Sequence, residues 1–302
     1  MRTIERNCVS AKERQKFVKE CEADFEKRLD SAVDECLKRD PMVIALSGPT
    51  CSGKTTAAKK IVADLNKRGK DVHVISIDDF FKEQDIDKRK SEMAGGAKFD
   101  YDSVEAIDFE LFADKIDDLF SNREVRLPRY DFATGKRGAG DVFTPKANSI
   151  IIFEGIQAIY PEVKALFGRD HVSVNINVED DLEFNGAVFG RRDIRLMRRL
   201  VRDYRFRGAA PEFTFYLWRS VVLNEERSIL PYEEKTDIRI DSLIPYEVML
   251  MKGELTPILE KVPDTNRFYV KAFEYIERLK ELDAVTPDQV PETSLLREFI
   301  GR

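Results

Sequence analysis

The chain has 302 residues, of which 42% are hydrophobic and 35% charged, with a formal net charge of −6. That hydrophobic share supports a buried core, and the length allows one large α/β domain or two small ones. The acidic balance argues against general nucleic-acid binding while leaving room for a local basic groove. Four cysteines (Cys8, Cys21, Cys36, Cys51) and two histidines (His73, His171) form no CxxC pair and no metal-ligand spacing, which argues against structural zinc. The first residues lack the apolar core of a signal peptide, and no run approaches the ~18 apolar residues of a membrane span. The expectation is a reduced, cytoplasmic protein with free thiols and no membrane partner.

In chain order, Phe17, Cys21, Phe25, Leu29 and Val33 recur every four residues. They predict an amphipathic helix over 11–39, ended by Asp40-Pro41. It would lie against the core or a second subunit, the latter giving a homo-oligomer. An apolar strand at 42–46, a helix at 54–68 and strands at 71–77 and 149–153 alternate as in a mainly parallel α/β sheet. Residues 104–122 predict an amphipathic helix. Runs at 125–132 and 141–144 flank a Gly-rich stretch at 133–140, which predicts a hairpin. A strand at 173–178 follows, and the remainder reads as largely helical. His73 is expected in the core, and Trp218 in the C-terminal helical layer. Linkers are expected near Pro41 and around 286–292.

Between the first strand and its helix stands Gly48-Pro49-Thr50-Cys51-Ser52-Gly53-Lys54-Thr55, a GxxxxGK(S/T) phosphate loop. Such a turn aims successive backbone N–H groups and the positive helix end at a polyphosphate. Residues 48–56, including Thr56, are therefore candidate contacts for the phosphates of ATP. Lys54 would reach the β/γ-phosphates, and the Thr55 hydroxyl would hold Mg²⁺. Phosphoryl transfer also needs carboxylates to hold the metal and to orient an acceptor hydroxyl. Two strand ends supply them: Asp78-Asp79 after 71–77, and Glu154-Gly155 after 149–153. Alternation along the strand allows only one of Asp78 and Asp79 to face the phosphates.

From Arg191 to Arg207, eight of seventeen residues are arginine, and Arg191, Arg195, Arg198, Arg202 and Arg205 form one helical stripe. Ile194, Met197, Leu200 and Val201 would anchor the opposite face. Concentrated guanidinium suits phosphate, so a triphosphate lid is expected, with a nucleic-acid patch or a salt-bridged structural helix as alternatives.

Taken in order, the phosphate loop, Ser76-Ile77-Asp78-Asp79-Phe80, Tyr101-Asp102, the strand Pro128-Arg129-Tyr130-Asp131-Phe132, Phe153-Glu154-Gly155-Ile156 and the arginine helix resemble the uridine kinase branch of the phosphoribulokinase/uridine kinase family. The resemblance covers roughly 41–210, and the later part looks like a bacterial nucleoside-kinase subgroup without its TGS domain. It implies a P-loop kinase fold with a substrate-capping hairpin and a helical C-terminal part. The implied division is an N-terminal helical segment at 1–40 and a kinase domain at 41–302, with its core at 41–210.

The resemblance also implies roles. Asp78 would be the catalytic base, near the metal with Thr55 and Glu154. Asp102 would hold the ribose hydroxyls, Tyr130 would pack on the base and Arg199 would contact the substrate ribose. Arg202 and Arg207 would grip phosphate, and Arg195 and Arg198 stay open between fold and function. Three departures loosen the acceptor assignment: Phe81 replaces a family Tyr, Gly135 a base-contacting His and Ala209 an Arg. The implied activity is ATP- and Mg²⁺-dependent transfer to the 5′-hydroxyl of a nucleoside. Alternatives are a kinase of another small alcohol, phosphoribulokinase- or pantothenate kinase-like, and a nucleotide-regulated RNA-binding module with little turnover.

Overall fold

The computed structural model describes residues 1–6, 10–85, 101–168 and 170–301; Cys8 lies outside them. β1 (Arg2–Ile4) precedes α1 (Ala11–Lys38), whose start is fixed by a reciprocal cap between Ser10 and Glu13. The four-residue spacing of its apolar side chains holds: Phe17, Cys21, Phe25, Leu29 and Val33 are all buried. There follow β2 (Val43–Ser47), α2 (Lys54–Lys67), β3 (Asp71–Ser76), α3 (Phe109–Phe120), β4 (Val125–Asp131), β5 (Lys136–Phe143), β6 (Ser149–Glu154) and α4 (Pro161–Phe167). The chain continues through β7 (His171–Asn177), β8 (Leu182–Phe184), β9 (Ala187–Phe189), α5 (Arg191–Arg207), α6 (Pro211–Ser228), α7 (Leu230–Glu233), β10 (Ile238–Asp241), α8 (Glu247–Leu259), α9 (Tyr269–Lys280) and α10 (Arg297–Ile300).

Five strands form a parallel sheet in the order β10-β7-β2-β6-β3. Alternation along the central strands divides their side chains between two cores. Ile44, Leu46, Ile150 and Ile152 pack with α1, α2 and the C-terminal helices, whereas Val43, Ala45, Ile151 and Phe153 pack with α3 and β4. Register brings the strand ends together, with Glu154 opposite both Leu46 and Ser76. The carboxyl ends of three strands thus open at one edge, where α/β sheets deliver functional groups.

Three expectations change, and a fourth gains detail. The 104–122 helix begins only at Phe109, because the Asp108 carboxylate accepts from the Leu111 amide and caps it there. The hairpin turn is tighter than 133–140: the Asp131 carboxylate accepts from the Ala133 amide and the Thr134 hydroxyl, so pairing resumes at Lys136. The chain after 178 is largely helical but also holds β8, β9 and β10, runs of three or four residues too short to show a period. His73 is not in the core. It lies on the edge strand β3, half-buried, stacked on Phe143 with ring centroids 4.0 Å apart and paired with Asp71 at 2.9 Å. Trp218 is buried as expected, with the Arg195 guanidinium 5.8 Å from its ring centroid. Cys21, Cys36 and Cys51 are free and buried, and burial pushes the first two thiols up to about 12.

Candidate active site

The phosphate loop turns sharply out of β2 because two of its residues adopt left-handed backbone, Cys51 at φ 59° and Gly53 at φ 91°. Gly48 is required for space: a Cβ there would lie 2.3 Å from the Ile176 carbonyl oxygen. Lys54 begins α2, and its Nζ stands 2.5 Å from Glu154 Oε1 at the end of β6. Burial opposes the Lys54 charge, but Glu154, Asp78 and Glu298 outweigh it and hold the ammonium above its ordinary pKa.

Asp78 and Asp79 share a short turn after β3 but face different ways. Asp79 Oδ1 accepts from the Tyr130 amide at 3.0 Å and Oδ2 lies 3.8 Å from Arg129, so Asp79 ties the hairpin to the sheet. Asp78 is turned to the charges of Lys54 and Glu154. Burial pushes its carboxyl up to about 6, with Lys54 opposing and the Glu154, Asp79 and Asp102 charges adding to the rise. A carboxyl poised near neutrality beside the lysine of the loop has the proton affinity that a general base needs.

A cleft of about 610 Å³ opens beside the loop, lined by Thr50, Asp102, Phe132, Arg199, Arg207 and Asn224 among others. The Asp102 backbone is held by the Tyr160 hydroxyl at 3.0 Å, and its carboxylate accepts from Asn224 Nδ2 at 3.2 Å. Asp102, Arg199 and Arg207 are therefore brought to one cavity. Tyr130 is not at its surface: it is 5% exposed, packed edge-on against Phe81 and Phe132. Phe132, 50% exposed, presents the aromatic face instead.

The arginine stripe divides in two. Arg195 pairs with Glu225 at 2.6 Å and Arg198 with Glu247 at 2.6 Å, all four side chains buried. Both arginines also donate to the loop from beneath, Arg195 to the Thr50 carbonyl and Arg198 to those of Cys51 and Ser52. They belong to the scaffold, and their burial removes them from any nucleic-acid surface. Arg199, Arg202 and Arg207 instead gather around buried Asp203, at 3.1, 2.7 and 3.6 Å. Nothing in the charge pattern singled out Glu225 or Glu247 as partners, because each lies on another helix farther along the chain, whereas Asp203 stands in the arginine helix itself, four residues from both Arg199 and Arg207. Asn224 carried no distinguishing signal either, and Phe132 entered only as the last residue of the 128–132 motif.

Thr55, Asp78 and Glu154 offer only oxygen donors, and two carboxylates with one hydroxyl suit Mg²⁺, which completes its shell with phosphate and water. Among the described residues no larger group of His, Cys, Asp or Glu gathers to hold a metal. Nor is any of their helices long and apolar enough to cross a membrane.

A sequence profile of the phosphoribulokinase/uridine kinase family matches residues 43–248, from β2 into α8. The chain belongs to that family. Uridine-cytidine kinase A of Dictyostelium discoideum is 32% identical over 201 residues, 66% of this chain but only 36% of its own length. The uridine kinase of Deinococcus deserti is 28% identical over 208 residues, 68% of this chain and 88% of its own. The structure of a possible uridine kinase from Bacillus stearothermophilus superposes with a TM-score of 0.48 at 17% identity, covering 72% of this chain and all (100%) of that one. Within the family match lie the phosphate loop, Asp78, Asp102, Glu154 and the arginine helix. α1, α9 and α10 fall outside it.

Proposed function

We propose that the protein is an ATP- and Mg²⁺-dependent kinase that phosphorylates the 5′-hydroxyl of a nucleoside. The observation that carries this reading is the meeting of Lys54, Glu154 and Asp78 at one sheet edge, beside the cleft of Asp102 and Arg199. The loop amides and Lys54 hold the donor's phosphates, and Arg202 and Arg207 meet charge developing on the transferred group. Asp78 accepts the proton of the attacking hydroxyl. Asp102, steadied by Asn224, accepts both hydroxyls of a cis-diol, and Arg199 contacts the ribose. Phe132 and Tyr101 offer the base an apolar wall, with Tyr130 supporting it from behind. Thr55, Asp78 and Glu154 would hold Mg²⁺, which when bound neutralises charge on the phosphates.

The test is phosphate transfer from ATP across a panel of nucleosides. Transfer to no nucleoside by folded protein in magnesium buffer would overturn the reading. A second reading, a phosphorylated small alcohol as acceptor, is favoured by the two arginines, Arg199 and Arg207, in the cleft wall. Competition between uridine and sugar phosphates for the cleft separates the two.

A further inference from the structure

One carboxylate stands where the donor's phosphates are expected, and it comes from outside the family match. Glu298, in α10, points Oε2 at Thr56, 2.8 Å from its hydroxyl and 3.3 Å from its amide nitrogen. Thr56 is the third residue of α2, so its N–H belongs to the first turn, where no intrahelical acceptor exists. Those unmatched amides are what a phosphate bound at a helix start uses. An internal acid already holds one of them, together with the Thr56 hydroxyl.

The acid is carried on a rigid support. Leu295 packs so closely on Gly53 that a Cβ there would lie 2.3 Å from Leu295 Cδ1. The Ser294 hydroxyl donates to buried Glu22 at 2.6 Å, and Arg205 donates to the Ile300 carbonyl at 2.5 Å. Arg297 donates to the carbonyls of Pro287, Val290, Pro291 and Gly301. Phe299 is fully buried beneath Arg198. Glu298 itself is only half-buried. It faces a groove of about 640 Å³ that runs along α2 and is lined by Thr55, Thr56, Lys59 and Ser294. The backbone is therefore fixed while the side chain has open space and an ammonium, Lys59, to turn toward. Its charge also acts on Lys54 and Arg202, the cations that the phosphates require.

We propose that Glu298 is an affinity-determining residue of the donor site, a built-in competitor that holds the Thr56 donors until a nucleotide's phosphate displaces it into the groove. This rests on the reading that the loop binds a nucleoside triphosphate. Each binding event must break a charge-assisted pair of hydrogen bonds, so the acid weakens donor binding uniformly.

The experiment is calorimetric titration of a non-hydrolysable ATP analogue in magnesium buffer into parent, Glu298→Gln and Glu298→Ala, with each variant's thermal midpoint measured without ligand. Loss of one charge-assisted competitor predicts binding about tenfold tighter for the alanine variant, with the glutamine variant between it and the parent. Unchanged or weaker binding in both folded variants, beside a parent that binds, overturns the role of Glu298 alone. A folded parent that takes up no nucleotide overturns the donor-site reading and the inference together. Should the alanine variant fail to fold, the near-isosteric glutamine variant decides the matter by the same comparison.

Discussion

Arg198 and Glu247 meet in a two-point ion pair, Nε to Oε2 at 2.6 Å and Nη2 to Oε1 at 2.8 Å, with neither side chain more than 1% exposed. The remaining guanidinium nitrogen is directed at the carbonyls of Cys51 and Ser52, so the pair holds the phosphate loop from below. An arginine that the sequence places in a phosphate-facing stripe is thereby committed to architecture. Removing one member leaves a buried charge without its partner, the costly way to break such a pair. Arg198→Met is expected to lower unfolding stability by about 3–5 kcal/mol and to weaken ATP binding. Arg198→Lys cannot reproduce the fork and should rescue little. Urea unfolding with calorimetry checks both, and a stability loss under about 1 kcal/mol would be too small for a desolvated pair.

Asp78 and Asp79 are adjacent in sequence and opposite in expected effect. The folded-state pKa of Asp78 is raised to about 6, so folding favours its protonated form. Its cost to stability is absent below the unfolded value and grows as pH rises through about 6. In magnesium-free buffer Asp78→Asn should therefore stabilise the protein at neutral pH by about 1–3 kcal/mol, while turnover falls by about 10²–10⁴. Asp79→Ala should do the reverse. It frees the Tyr130 amide and loosens the hairpin at a cost of about 1–2 kcal/mol, with a smaller loss of turnover. If the two variants exchange these behaviours, the acid and the brace have been assigned the wrong way round.

Much of this arrangement was legible in the sequence where a local rule forces the answer. The phosphate loop declares itself through glycines that permit left-handed or crowded backbone, and α1 through a four-residue apolar period. The strand ends carrying Asp78 and Glu154 follow from apolar runs that stop at a carboxylate. What stayed hidden depends on partners distant along the chain. Whether Arg195 faces solvent or Glu225, and Arg198 solvent or Glu247, is decided by where α6 and α8 pack, and periodicity within α5 cannot encode that. His73 looked like core because its neighbours are apolar; β3 proves to be the sheet edge, and an edge strand leaves part of each face open. Glu298 carried no signal at all. It is one acid among 56 Asp and Glu residues, and tertiary contacts such as the seating of Leu295 on Gly53 bring it to Thr56.

On the proposed function, variants of the Lys54–Glu154 contact should separate metal use from phosphate grip. Glu154 lies 2.5 Å from the ammonium and, with Asp78 and Thr55, forms the oxygen set suited to Mg²⁺. Glu154→Gln retains a neutral acceptor for Lys54 but removes a hard anionic oxygen. The expected result is an apparent magnesium requirement raised about tenfold, with metal-free ATP binding little changed. Lys54→Met should instead abolish nucleotide binding with or without magnesium. Magnesium titrations of turnover, alongside calorimetry in EDTA, distinguish the two. An unaltered magnesium requirement in the glutamine variant would exclude Glu154 from the metal's surroundings.

Glu22 links the N-terminal helix to the segment that carries Glu298, and it titrates in an informative direction. Its Oε1 accepts from the Ser294 hydroxyl at 2.6 Å and the Tyr246 hydroxyl at 2.5 Å. Burial nonetheless holds its carboxyl above the ordinary value of 4.5, outweighing those hydrogen bonds and Lys60, with Glu26 adding to the rise. The folded protein thus binds this proton more readily than the unfolded chain does. The associated stability is fully present below the unfolded pKa and is lost as pH rises through the higher folded one, at about 1.4 kcal/mol per unit of separation. Glu22→Gln keeps an acceptor for both hydroxyls but cannot ionise. Relative to the parent, it should gain stability as pH rises above the unfolded value until the raised folded pKa is passed, and the gain should then level off, read as the difference between two urea-unfolding series. A constant difference across that range would mean that Glu22 ionises in the fold as freely as in the open chain, leaving burial without an energetic consequence at this junction.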